Sequence, residues 1–128
     1  DDRLLLALDA LTGREKWKTN VKFNIFGGCA FTPSLVYVGT LWGKLYAVDR
    51  KTGAIKWSFA TDGYNTNHLK YFKQDDTYRD DIGTLLKSPA HFIEAEHRMG
   101  GIFSTPAISG DMMVVTSSEG IVYGLKRK

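Results

Sequence analysis

One twelve-residue pattern occurs twice at a constant spacing. Residues 6–17 read LALDALTGREKW and residues 46–57 read YAVDRKTGAIKW. Ala7/Ala47, Asp9/Asp49, Thr12/Thr52, Gly13/Gly53 and Trp17/Trp57 are each separated by 40 positions. A further element repeats around it. Thr32-Pro33 recurs as Thr105-Pro106 at an offset of 73, and Gly43, Tyr46 and Val48 align with Gly120, Tyr123 and Leu125 at 77. The third copy therefore carries four extra residues, around Ser109–Met112. A repeat of this kind fixes the architecture before any other reading, because each unit buries its apolar face only against its neighbours.

About 40 residues is the length of a four-stranded propeller blade. The local chemistry agrees. Val36–Val38 and Val114–Thr116 are runs of strand formers. Ile55, Trp57 and Phe59 alternate and share one face of a strand, as do Trp17, Thr19, Val21 and Phe23. Asp49 to Gly53 is a hairpin connection in which the carboxylate can accept turn N–H groups and Gly53 supplies a positive φ. Ala47 is small, so a neighbouring sheet can come close, and a Trp on the next strand fills the gap between sheets. The expected strands are 3–9 and 15–20; 28–33, 35–39, 44–49 and 55–60; and 102–107, 112–117 and 120–126. The fold class is all-β: propeller blades in an incomplete propeller, with a short helical insertion. Residues 1–60 hold the end of one blade and a whole second one, 61–99 an inter-blade insertion, and 100–128 a partial blade.

The pattern A-x-D-x-x-T-G-x-x-x-W, at Ala7–Trp17 and again at Ala47–Trp57, resembles the tryptophan-docking motif of the pyrroloquinoline-quinone (PQQ) propeller repeat family. The resemblance covers everything outside 61–99. It implies a propeller, and with it either of two roles, since the family includes quinone-dependent dehydrogenases and scaffolds that bind no quinone. In the dehydrogenases, the resemblance implies PQQ on the propeller axis, a calcium ion that polarises it, an Asp as base toward an alcohol or sugar, and in many members a disulfide of adjacent cysteines. Cys29 is the sole cysteine here, so that disulfide cannot form within the chain, and no residue matches the calcium or base positions. The reading taken is a non-catalytic scaffold that binds a protein partner or the remaining blades, with no cofactor in this segment. The alternative is part of a PQQ- and calcium-dependent dehydrogenase. The resemblance points to a periplasmic or secreted location.

Composition narrows the classes further. Seventeen basic against 14 acidic residues give a net charge of +3 over 128 residues, too little for a nucleic-acid binder. No apolar run reaches the ~20 residues of a membrane span. A closed propeller needs at least four blades, about 160 residues. The chain is therefore expected to be a piece of a longer propeller, or else a homo-oligomer whose copies complement one another.

The insertion holds all three histidines, His68, His91 and His97. His91, Glu94 and His97 do not share a helical face in the way a zinc pair four residues apart does, so solvated loop histidines are expected. Asp75, Asp76, Asp80 and Asp81 lack the spacing and glycine of a calcium loop and read as a solvated charged turn. Tyr64–His68 reads as loop. Thr77 and Asp80 have capping-box spacing ahead of Ile82, Leu85 and Leu86, and Pro89 stops that run. Residues 90–98 are helix-compatible, with Phe92, Ala95 and Met99 on one face. One or two short helices should lie over one end of the propeller, as a decorated surface loop or as added function. Asp9, Asp49, Thr12 and Thr52 are structural turn residues, and Cys29 a buried, inert thiol. Trp42 stands in the turn Gly39–Gly43, outside the repeated motif. It is a candidate partner contact at an exposed rim, with simple packing as the other reading.

Overall fold

A computed structural model describes residues 3–127. Asp1, Asp2 and Lys128, at the ends of the first and third expected segments, lie outside the described residues. The strands form three antiparallel sheets in chain order. The first holds β1 (Leu4–Leu8) and β2 (Glu15–Asn20). The second holds β3 (Ala30–Phe31), β4 (Leu35–Gly39), β5 (Lys44–Asp49) and β6 (Ile55–Ala60). Three helices follow: α1 (Asp62–Tyr71), α2 (Ile82–Leu85) and α3 (Pro89–Arg98). The third sheet holds β7 (Ala107–Ser109), β8 (Met112–Thr116) and β9 (Val122–Lys126).

Each sheet is a meander of neighbouring strands, the topology of a propeller blade. The repeat shows in the register. Ala7 pairs with Trp17 and Ala47 with Trp57, and a bulge follows each alanine. The sheets converge at one side. A Cβ on Gly27 would lie 2.9 Å from the carbonyl oxygens of Phe103 and Ser104, and Gly28 N donates to Thr105 Oγ1 at 3.1 Å. They diverge at the other, where a groove of about 420 Å³ separates β6 from β9. Sheets that meet along their first strands and splay at their last are wedges of one propeller.

Two cores follow. Tyr37, Leu45 and Ala47 of the second blade pack against Ile102, Met113 and Val115 of the third. Leu5, Val21 and Phe23 from the first blade region meet Val38, Tyr46 and Val48 of the second, and the insertion adds Tyr64, Phe72, Leu86, Ala95 and Met99 to the same cluster. The insertion is thus part of the core, not a surface decoration.

Five local expectations are corrected. Residues 64–68 are helix rather than loop: Thr61 caps α1 by accepting from Tyr64 N at 3.2 Å, and Gly63 is pressed against Arg98–Gly100. Tertiary packing overrides a weak local propensity. Thr77 caps nothing; its hydroxyl and N–H both bond Asp75 Oδ1, and α2 is a single turn without a side-chain cap. Pro89 opens α3 instead of merely ending the preceding run, with Ser88 as its cap. Ala95 and Met99 face the core, whereas Phe92 is exposed. Finally, β7 begins at Ala107 rather than at 102. Ile102 N bonds Thr40 O of the second blade, and Pro106 has no N–H to give a ladder. The extra residues around Gly110 lengthen the β7–β8 hairpin instead.

Candidate functional site

The repeated turns consume their own polar groups. Asp9 Oδ1 accepts from Leu11 N at 3.0 Å and Thr12 N at 2.9 Å; Asp49 Oδ1 accepts from Lys51 N at 2.9 Å and Thr52 N at 3.0 Å. Thr12 Oγ1 and Thr52 Oγ1 accept from the N–H groups of Arg14 and Ala54. Gly13 and Gly53 sit at φ 70° and 77°, where a Cβ is strained. Hydrogen bonds from the turn N–H groups lower the Asp9 pKa from its ordinary 3.8 to about 2 and also lower that of Asp49. Carboxylates held in this way are anchors for a turn and weak bases.

The two repeated tryptophans differ. Trp17 crosses to the second blade, where its Nε1–H donates to Arg50 O at 2.9 Å and its ring lies 2.8 Å from where a Gly53 Cβ would be. Thr19 Oγ1 donates to Gly53 O beside it. The first blade is thereby fastened to the hairpin turn of the second. Trp57 packs at a tilt on Tyr37, 5.8 Å between centroids, and lines the groove beside Gly124, Leu125 and Lys126.

Trp42 is not exposed. It is 1% accessible and enclosed by Phe72 at 4.8 Å, with Tyr71 and Tyr78 each at 6.0 Å between ring centroids. A turn tryptophan that would stand at the rim of a bare blade is covered by the insertion, and simple packing is the reading that holds.

The insertion also builds a cluster that sequence reasoning missed. Asp76 lies at φ 65° in the turn after α1. Its Oδ1 accepts from Tyr64 OH at 2.5 Å, and its Oδ2 pairs with Lys44 Nζ at 3.1 Å. His68 Nε2 stands 2.8 Å from Oδ1 yet makes no hydrogen bond, so that proximity is an off-axis electrostatic contact. The His68 ring stacks on Tyr64 at 4.5 Å between centroids. Burial foremost, then the Asp76 carboxylate, pushes the Tyr64 and Tyr46 hydroxyls far above their ordinary range. His68 and Asp76 are therefore not the solvated groups expected from the sequence. Lys44 and Asp76 are 32 residues apart, and no spacing rule links them. The cluster pins the insertion to β5.

The other candidates stay apart. His91 accepts from Lys87 N, and His97 Nδ1 faces Ile93 O. Asp80 and Asp81 pair with Lys73 and Arg79. Among the described residues, no group of three or more His, Cys, Asp or Glu side chains could hold a metal ion. Burial raises the Cys29 thiol, which matches an inert group. These donors do not fit a quinone with its cation: the turn carboxylates are taken by N–H groups and the buried one by Lys44.

A family model described as outer membrane protein assembly factor BamB matches residues 1–128. The chain belongs to the PQQ-type propeller repeat family. Subunit 1 of the methanol dehydrogenase of Methylobacterium organophilum is 43% identical over 54 residues, 41% of this chain and 9% of that protein. The chain thus spans about a tenth of the length of the curated relatives it matches. BamB from Moraxella catarrhalis superposes with a TM-score of 0.55 at 22% identity, covering 89% of this chain and 24% of that one. The quinohemoprotein alcohol dehydrogenase of Comamonas testosteroni gives 0.55 at 20%, covering 91% and 19%. At these identities the structures share the fold: blades of a larger propeller. Among the described residues, no helix is long and apolar enough to cross a membrane.

Proposed function

We propose that this segment is a non-catalytic part of a propeller scaffold that presents rigid surfaces to a protein partner. One observation carries the reading: the chemistry-bearing side chains are committed to internal bonds. Asp9 and Asp49 hold their turns, and Asp76 holds Tyr64 and Lys44. The match of the assembly-factor model along the whole chain supports the same reading, and with it a periplasmic location. Further blades of the same propeller are natural neighbours.

A second reading has its own support in the identity to methanol dehydrogenase subunits. In it, the segment is structural in a quinone-dependent alcohol dehydrogenase, and the quinone, its cation and the base sit on other blades. Titration of the whole propeller that carries this segment with PQQ, with and without calcium or a lanthanide, separates the two. Trp17 and Trp57 are the fluorescent reporters nearest the surface. The scaffold reading expects no saturable quenching. Saturable quenching that a chelator abolishes would replace it with the dehydrogenase reading.

A further inference from the structure

The insertion carries a groove of its own on one face of α3. Pro89, Phe92, Ile93 and Glu96 recur at i, i+3, i+4 and i+7, so they share that face. With Leu86, Lys87 and Ser88 they line a groove of about 500 Å³. Phe92 is 38% and Ile93 56% accessible, so the middle of the groove is apolar and open. Every lining residue lies within 86–96. The groove is therefore built by one stretch of the insertion, with no wall taken from β1, β2 or β9, the strands beside which further blades of the propeller belong.

Its two charges are the second, independent observation. Elsewhere in the insertion Lys73, Arg79 and Arg98 pair with Asp80, Asp81 and Glu94, and Asp76 pairs with Lys44. Lys87 and Glu96 both line the groove, and neither has an ion pair among the described residues. Burial raises the Glu96 carboxyl above its ordinary range, against the opposing pull of His97. A carboxylate is thus drawn partly out of water with no cation beside it, which costs free energy until one arrives. Phe92 and Ile93 stand between the two charges, Lys87 toward the start of α3 and Glu96 toward its end. Turned end for end, the groove is its own complement.

We propose that α3 docks on α3 of a second copy, antiparallel about a twofold axis through the Phe92–Ile93 pair, with each Lys87 on the partner subunit's Glu96. A twofold contact uses the same patch on both sides, so the patch must satisfy itself. Here apolar meets apolar, and each unpaired charge meets its opposite. A partner segment of one sign would satisfy only one of the two charges. One helix face and the turn before it are smaller than the ~800 Å² per partner of a standard interface, so the association is expected to be micromolar and reversible. It joins two propellers through their insertions and holds under either reading of what the segment does.

The test is sedimentation equilibrium of the whole propeller that carries this segment, across the micromolar range. The proposal expects a monomer–dimer equilibrium. Lys87→Glu and Glu96→Lys should each weaken it about tenfold, and the double reversal should restore it. That restoration also shows the single variants to be folded. Should Glu96→Lys fail to fold, Lys87→Glu and Ile93→Glu, both at exposed positions, carry the test, with Ile93→Glu expected to abolish the dimer. A monomer throughout the range, as when the propeller's own blades fill the groove, would overturn the proposal. So would a dimer indifferent to Lys87→Glu or to Ile93→Glu, or a double reversal no tighter than the single ones. The quinone titration is read separately, so failure here leaves the scaffold reading standing.

Discussion

The two junctions between blades are built from the same repeat and closed by different means. At the first, Trp17 reaches the hairpin turn of the second blade, and the insertion seals the far end with Trp42, Phe72 and Tyr78. At the second, the blades touch through glycines at their first strands and through Ile102, Met113 and Val115 in the middle, while Trp57 faces an open groove. A repeated sequence therefore does not make a repeated interface. Trp17 has its seat on the Asp49-to-Gly53 turn of the second blade.

The strongest way to break this contrast is Trp42→Ala. Emptying a fully enclosed indole should cost about 3–5 kcal/mol in denaturant unfolding. A rim residue would cost almost nothing, so a small loss would return Trp42 to the surface.

Asp76→Asn comes next. Asn tolerates the left-handed backbone, so the change isolates the charge. It leaves Lys44 half-enclosed without its anion, at a cost of about 3 kcal/mol. Protease sensitivity should rise within 61–99 and not in the blades. Uniform sensitivity would mean the cluster supports the whole fold rather than the insertion.

The two motif glycines make a matched pair. Both have positive φ, but a Cβ on Gly13 meets nothing within 4 Å, whereas one on Gly53 meets the Trp17 ring at 2.8 Å. Gly13→Ala should cost about 1 kcal/mol for backbone strain; Gly53→Ala should cost about 2–3 because overpacking adds to it. Equal costs would show that Trp17 does not bear on the turn. Trp17→Phe is the finer probe. It deletes the bond to Arg50 O and should cost about 1 kcal/mol, while Trp57→Phe, at a ring that borders the groove, should cost less.

The smallest effect is on the acid side. Asp9 and Asp49 have folded pKa values below their ordinary 3.8. The Asp9 contribution is present above about pH 4 and is lost as the pH falls toward about 2, and that of Asp49 is lost in the same direction. Asp9→Asn and Asp49→Asn keep an acceptor in each turn and should flatten that limb of the stability profile. An unchanged limb would assign acid sensitivity elsewhere.

Most of the blade architecture was legible in the residues. β4, β5 and β6 fall at 35–39, 44–49 and 55–60 as expected, because alternation and turn chemistry act over a few neighbouring positions. The insertion was not. Its first helix has the local pattern of a loop because Gly63 and the asparagines around it have poor helix propensity, and packing against Arg98–Gly100 outweighs that. The Asp76 cluster was invisible for a different reason. Its members come from β5, α1 and a turn, and only the path of the chain brings Lys44 within 3.1 Å of Asp76.

By itself, the sequence determined the repeat, the blade and the turn in which each motif Asp is spent, since these depend on short-range periodicity and local hydrogen bonds. Tertiary structure alone decided that Trp42 is core, that the insertion completes one junction, and that Trp17 is seated while Trp57 borders a groove. Each of those depends on what a distant segment places against a side chain, and burial is a property of that encounter rather than of the residue.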